Sequence, residues 1–146
     1  MPISYTIFPD QLLTYIHYAG VVDADQVLRA ARDYVADPNF SPKATELVDL
    51  REITEFDMSY RTMSNMVYRL GKLHEVHGPP AAKLLLADND LAFSMASLFE
   101  TIVNAAKGPP VHVMRSETEA LLRLGRPERR IAELLAAPSP RTRAQA

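Results

Sequence analysis

The sequence predicts one α/β domain of order β-β-α-β-α-β-α-β-α, with a mainly parallel sheet of five strands whose first strand is antiparallel. Three observations predict it. Period-two alternation at the N-terminus gives way to segments of helical period. Short β-branched or leucine-rich runs recur between those segments, and proline- or glycine-bearing breaks separate most of them. Strands that alternate with helices pair in parallel, because each crossover helix returns the chain to the same end of the sheet.

In order along the chain, Ile3, Tyr5 and Ile7 share one face of a strand ending near Phe8, with Ser4 and Thr6 on the other. Pro9-Asp10-Gln11 supplies turn chemistry, and Leu12 to Tyr18 returns as the second strand of a hairpin that Gly20 ends. Asp23 and Gln26 have the spacing of a capping box and open a helix to about Ala36, with Val27, Leu28, Ala31, Tyr34 and Val35 on one face. Asp37-Pro38 stops it, since a residue before proline is pushed out of the helical region. Leu47 to Leu50 reads as a short third strand, and Arg51 to Met58 as a loop with Ile53 and Phe56 turned inward.

A second helix spans about Ser59 to His74, with Met63, Met66, Val67, Leu70 and Leu73 as its apolar face. After Gly78-Pro79-Pro80, the run Ala82 to Ala87 suits a central parallel strand covered on both faces. Asp88-Asn89-Asp90 caps a third helix to about Ala106, and Val111 to Met114 forms the last strand. Ser116 and Glu119 open a fourth helix, which ends at Leu124-Gly125. Pro127 suits a first helical turn, so an extra helix follows over Glu128 to Ala137. The expected organisation is a domain over 1–125, an added helix over 126–137 and a disordered tail over 138–146.

Composition narrows function. The chain has 146 residues, 47% of them hydrophobic and 23% charged, which is a globular rather than a disordered balance. Without cysteine there is neither a disulfide nor thiolate chemistry. A formal net charge of −2 argues against nucleic acid as partner, which needs a basic footprint. That charge is uneven: five arginines face two glutamates from Arg126 onward, leaving −5 on the first 125 residues. No apolar run is long enough to span a bilayer, and the N-terminus lacks the pattern of a signal peptide, so stable membrane insertion is not expected and the cytoplasm is the expected compartment.

Three features invite a chemical role. His74-Glu75-Val76-His77 has its histidines three apart, one short of the zinc-protease spacing, and histidines in a last helical turn are favoured by the helix dipole alone. Asp49, Glu52, Glu55 and Asp57 follow the third strand, where parallel sheets gather ligands, but no phosphate loop, nucleophile elbow or triad accompanies them. Phe93 falls opposite a third-helix stripe of Leu91, Met95, Leu98, Phe99, Ile102, Val103 and Ala106, which makes it a candidate interface or pocket-lid residue unless the C-terminal helix folds over it. Neither a catalytic residue, a metal site nor a cofactor is expected.

Ile3-Ser4-Tyr5-Thr6-Ile7, Asp37-Pro38-Asn39-Phe40, Leu47-Val48-Asp49-Leu50-Arg51 and Leu91-Ala92-Phe93 recur along this order of elements. With them, Pro2 to Gly125 resembles the SpoIIAA-like (STAS/CRAL-TRIO-like) small bacterial proteins, which look related to the anti-sigma-factor antagonists. In those, a serine opening the second helix in an Asp-Ser-Ser/Thr-Gly motif is phosphorylated by a partner kinase. Asp57 and Ser59 match that motif here, while Met58 and Tyr60 depart from it. The resemblance implies Ser59 as the candidate phosphorylation site, and Phe93, Ser59, Asp57 and Asp49 as candidates for an interface or pocket.

Two functions follow. The first is a non-enzymatic STAS-like regulatory or protein-interaction module whose partner is another protein or a second copy in a homodimer. The alternative is a protein of CRAL-TRIO-like type that binds a small apolar ligand or lipid, which needs a pocket of roughly several hundred Å³ lined by methionines and aromatics of the second and third helices. A hydrolase using His74 or His77 with a carboxylate ranks third.

Overall fold

Both faces of the first strand are buried, and that decides the architecture. The computed structural model describes residues 2–136 and the backbone of 142–145. Strand β1 (Ile3–Phe8) buries Ile3, Tyr5 and Ile7 but also Thr6 and Phe8, so the sheet it belongs to is covered on both sides. A 3-10 turn over Pro9–Gln11, closed by Leu12 in the left-handed region (φ 50°), returns the chain into β2 (Leu13–Asp23). Helix α1 (Ala24–Val35) is opened by the expected capping box between Asp23 and Gln26, with both reciprocal bonds formed.

Strand β3 (Thr45–Asp57) is followed by α2 (Tyr60–His77), β4 (Ala82–Leu86), α3 (Asp90–Ala105), β5 (Val111–Met114), α4 (Glu117–Arg123), α5 (Ile131–Ala136) and β6 (Thr142–Gln145). The sheet order is β5-β4-β3-β2-β1-β6. Strands β2 to β5 run parallel, while β1 is antiparallel to both β2 and β6. The five strands expected are present in the expected order.

Four expectations need correction. Gly20 does not end β2: with φ 71° it accommodates an irregularity in the ladder, and the strand runs on to Asp23. That extension gives Arg51 to Asp57 a partner, so the expected loop is the second half of a long β3. The final helix starts at Ile131 rather than near Glu128, where the Glu117 carboxylate accepts from the Ile131 N–H and supplies the cap, while Arg126 and Glu128 pair in the preceding loop. The expected disordered tail contains a sixth strand, because β1 offers β6 an unpaired edge. Residues 138–141 and 146 of that tail, and residue 137 at the end of the expected added helix, lie outside the described residues.

Two cores result. On the front face, α1, α2 and α3 pack Val27, Leu28, Met63, Met66, Leu70, Ala92 and Val103 against Val48, Leu50 and Leu85 of the sheet. On the back face, α4 and α5 bring Leu121, Ile131 and Leu134 onto Phe8, Leu47, Leu84 and Leu86. The helix expected as an addition is thus part of a buried layer, with Leu134 wholly enclosed.

Candidate functional site

The front layer is not filled. A cavity of about 100 Å³ lies between the sheet and α1, α2 and α3. Its walls include Met58, Met63, Met66, Met95, Phe56 and Phe99. Helical spacing places Met63 and Met66 on the buried stripe of α2, and β3 brings Phe56 and the following Met58 to its mouth.

Polar groups converge at one place in this lining. Glu46 of β3 and Lys83 of β4 are directly opposite in the parallel ladder. Lys83 Nζ lies 3.1 Å from Glu46 Oε1, with side chains only 11% and 7% exposed. The ammonium also lies 5.9 Å from the centre of the Phe99 ring, at the outer limit for a cation–π contact. His74 of α2 faces the pair, and its pKa is held below the ordinary histidine value by burial and by the charge of Lys83, against the pull of Glu46. Tyr18 of β2 completes the group, its hydroxyl pKa raised by burial and by Glu46. A second hollow, between α2 and the end of α3, shares Leu70, His74, Lys83 and Phe99 with the first. Lys83 and His74 therefore stand in the wall that the two hollows have in common, while Glu46 and Tyr18 line the first alone.

The sequence-predicted residues do not form one site. Asp49 is buried on the back face and saturated there. Its carboxylate accepts from the Tyr15 hydroxyl at 2.6 Å, from Arg51 Nε and Nη2 at 2.9 Å each, and from the Arg51 backbone N–H at 3.1 Å. Burial pushes this carboxyl up, but the guanidinium and Tyr15 outweigh it, and Asp49 sits below its ordinary value. Arg51 also pairs with Glu117, which caps α5, so the network pins the back helices to the sheet.

Ser59 is exposed and caps α2, accepting from Thr62 N at 3.1 Å. Asp57 is exposed at the end of β3. Phe93 is not the free aromatic expected: it packs against the front core, and Arg115 lies 4.0 Å above its ring. The buried stripe of α3 is Ala92, Ala96, Ile102 and Val103, which leaves Leu91 exposed and turns Phe93 half inward. The C-terminal helix packs on the other face and does not cover it. Glu52 meets His17 at 3.1 Å. His77 is exposed at the end of α2, edge-on to Phe40. His74 is the inward member of the pair, and burial beside Lys83 shifts it towards its neutral form.

Sequence reasoning missed Glu46 and Lys83. A signal was available: each stands immediately before an apolar run, Leu47-Val48 and Leu84-Leu85, in consecutive strands of a parallel sheet. Opposite charges at equivalent positions of adjacent parallel strands can pair across the ladder. Arg51, two residues from Asp49 and on its face of the strand, was not legible in this way, because the stretch it opens reads as loop.

No protein-family model matches the chain, and a search of curated proteins returns no match. Among solved structures, the chain is similar to an uncharacterized protein from the DUF3478 family with a SpoIIAA-like fold from Shewanella loihica PV-4. That likeness has 14% identity, covers 77% of this chain and 83% of that one, and has a TM-score of 0.49. A structure named Mglu matches at 19% identity over 54% of this chain and 18% of that one, with a TM-score of 0.32.

Proposed function

We propose that this chain is a non-enzymatic binding module of STAS-like build that holds a small apolar molecule between its sheet and helices α1, α2 and α3. One observation carries this proposal: the front cavity. Protein interiors are packed like organic crystals, and voids larger than a water molecule are few. A hollow of about 100 Å³ is smaller than the roughly 300–1,000 Å³ of a drug-sized ligand's pocket, so it suits a small occupant, and its mostly apolar lining with a few convergent polar groups has the make-up of a ligand site. Four of the six methionines line it, and their unbranched, polarizable side chains adapt to ligands of different shape. Native mass spectrometry of the purified chain, with thermal melting in the presence of 1-octanol, tests this. A bound mass or a raised midpoint supports it. Neither, even at millimolar alcohol, rejects it.

A protein partner is the second function, favoured by the start of α2. There Ser59 is exposed beside Tyr60, which is 65% exposed and packs against little of its own chain. Phosphate on Ser59 would meet the helix N-terminus favourably, with Asp57 opposing it two residues away. Incubation with ATP and a cell extract, followed by peptide mass spectrometry, tests this. Ser59 found unmodified counts against it.

A further inference from the structure

Resting on the apolar-ligand proposal, we infer that the molecule held in the front cavity carries one uncharged head that both donates and accepts hydrogen bonds, an alcohol or a primary amide, seated at Lys83 and Glu46. The position comes first. Lys83 and His74 line both hollows, whereas the methionines and Glu46 line only the first. An elongated molecule with its apolar body among the methionines thus has its head at the polar pair, where the first hollow meets the second.

Charge decides what that head is. Lys83 and Glu46 already neutralise one another at 3.1 Å, and both are largely out of water. The remaining groups that face them bring no net charge. From β2 and α1 come Tyr18 and Tyr34, whose hydroxyls stay protonated because burial and Glu46 raise their pKa values. From α2 comes His74, shifted towards its neutral form. From α3 comes the Phe99 ring. An ionised head would enter this group with no counter-charge left for it, and an unpaired charge in a buried site is costly.

Hydrogen-bonding capacity points the same way. The Lys83 ammonium has three donors and the Glu46 carboxylate two acceptor oxygens, and their contact from Nζ to Oε1 requires only one of each. Donor and acceptor capacity are both left over, side by side. A hydroxyl or a primary amide can meet both at once, whereas a carboxylate offers no donor and an alkylammonium no acceptor.

The test uses the whole chain and three probes that share one alkyl body: 1-octanol, octanoate and octylamine, titrated by calorimetry at pH 7.5. The alcohol is expected to bind at least about tenfold more tightly than either ion. The variant Glu46→Gln, checked for folding by circular dichroism, leaves Lys83 without its counter-charge. It should move the octanoate-to-octanol affinity ratio about tenfold towards octanoate, a change that simple preference for the less water-soluble probe cannot produce. Octanoate or octylamine binding the native chain as tightly as the alcohol overturns the inference while leaving apolar binding intact, as does an unchanged ratio in folded Glu46→Gln. Binding of none of the three overturns the cavity proposal itself. Should Glu46→Gln not fold, the ranking on the native chain decides alone.

Discussion

Glu46 and Lys83 are partners twice over: their backbones are directly opposite in the β3–β4 ladder, and their side chains meet at 3.1 Å under the front helices. A pair so placed is taken out of water together, and losing one member strands the other. Lys83→Met should therefore cost about 3–5 kcal/mol, the usual range for a broken buried pair. Adding Glu46→Leu should restore most of that loss, since no bare carboxylate remains. Urea unfolding of the single and double variants measures both. A single variant within 1 kcal/mol of the native chain, roughly the worth of a surface pair, would show the pair is solvated.

Asp49 makes the acid limb of the stability curve. Its folded pKa lies below the unfolded value near 3.9, so its contribution is complete above about pH 4 and is lost as pH falls through the folded value. Asn at this position keeps the shape but surrenders the charge that Arg51 and Tyr15 address. Asp49→Asn should cost about 3 kcal/mol at pH 7, and flatten the decline below about pH 4. Chemical denaturation from pH 2.5 to 7 reads both effects.

His74 works in a higher window. Its folded pKa is depressed, so the unfolded chain takes up a proton near pH 6.5 that the folded chain still refuses. Stability is then complete above that pH and falls as pH drops from about 6.5 through the folded pKa. His74→Gln should remove this slope and leave the acid limb of Asp49 in place. Melting midpoints at half-unit pH steps between 5 and 8 distinguish the two curves, and parallel curves would mean that His74 stays solvated.

Gly78, which ends α2, carries two constraints at once. Its φ is 95°, where side chains are strained, and a Cβ would stand 2.6 Å from Pro42 Cβ. Gly78→Ala should therefore destabilise by about 1–3 kcal/mol, while Gly71→Ala, with open space around it, should be neutral or stabilising by up to about 1 kcal/mol. Paired urea titrations give the comparison directly.

Elements whose signal is local were legible. The Asp23–Gln26 box, the Ser59 and Ser116 caps and the apolar stripe of α2 all rest on residues within one or two helical turns, and each is found where its spacing puts it. The second half of β3 was not legible, because Arg51 to Asp57 is polar enough to read as loop and becomes strand only through its ladder with the far end of β2. Phe93 failed for a related reason. The α3 sequence is apolar nearly all round, and a periodic stripe cannot say that small Ala92 and Ala96, rather than Leu91, meet the sheet. The candidate site was legible only in outline. The methionines and aromatics it needs were foreseen, the charged pair in its wall was not, and Asp49 went to the other face because β3 alternates and both its faces are covered.

By itself, then, the sequence determined the order of β1 to β5 and of the helices, their caps, and a parallel sheet with one antiparallel strand. Each of these follows from periodicity and backbone chemistry over a few residues. Only the tertiary structure decided which polar residues meet. Glu46 and Lys83 are 37 positions apart and become neighbours through strand register, while Asp49, three residues from Glu46, is carried to the opposite face by the pleat. Register and pleat are collective properties of the paired sheet. They set the positions of charge at the cavity wall, and no single segment contains them.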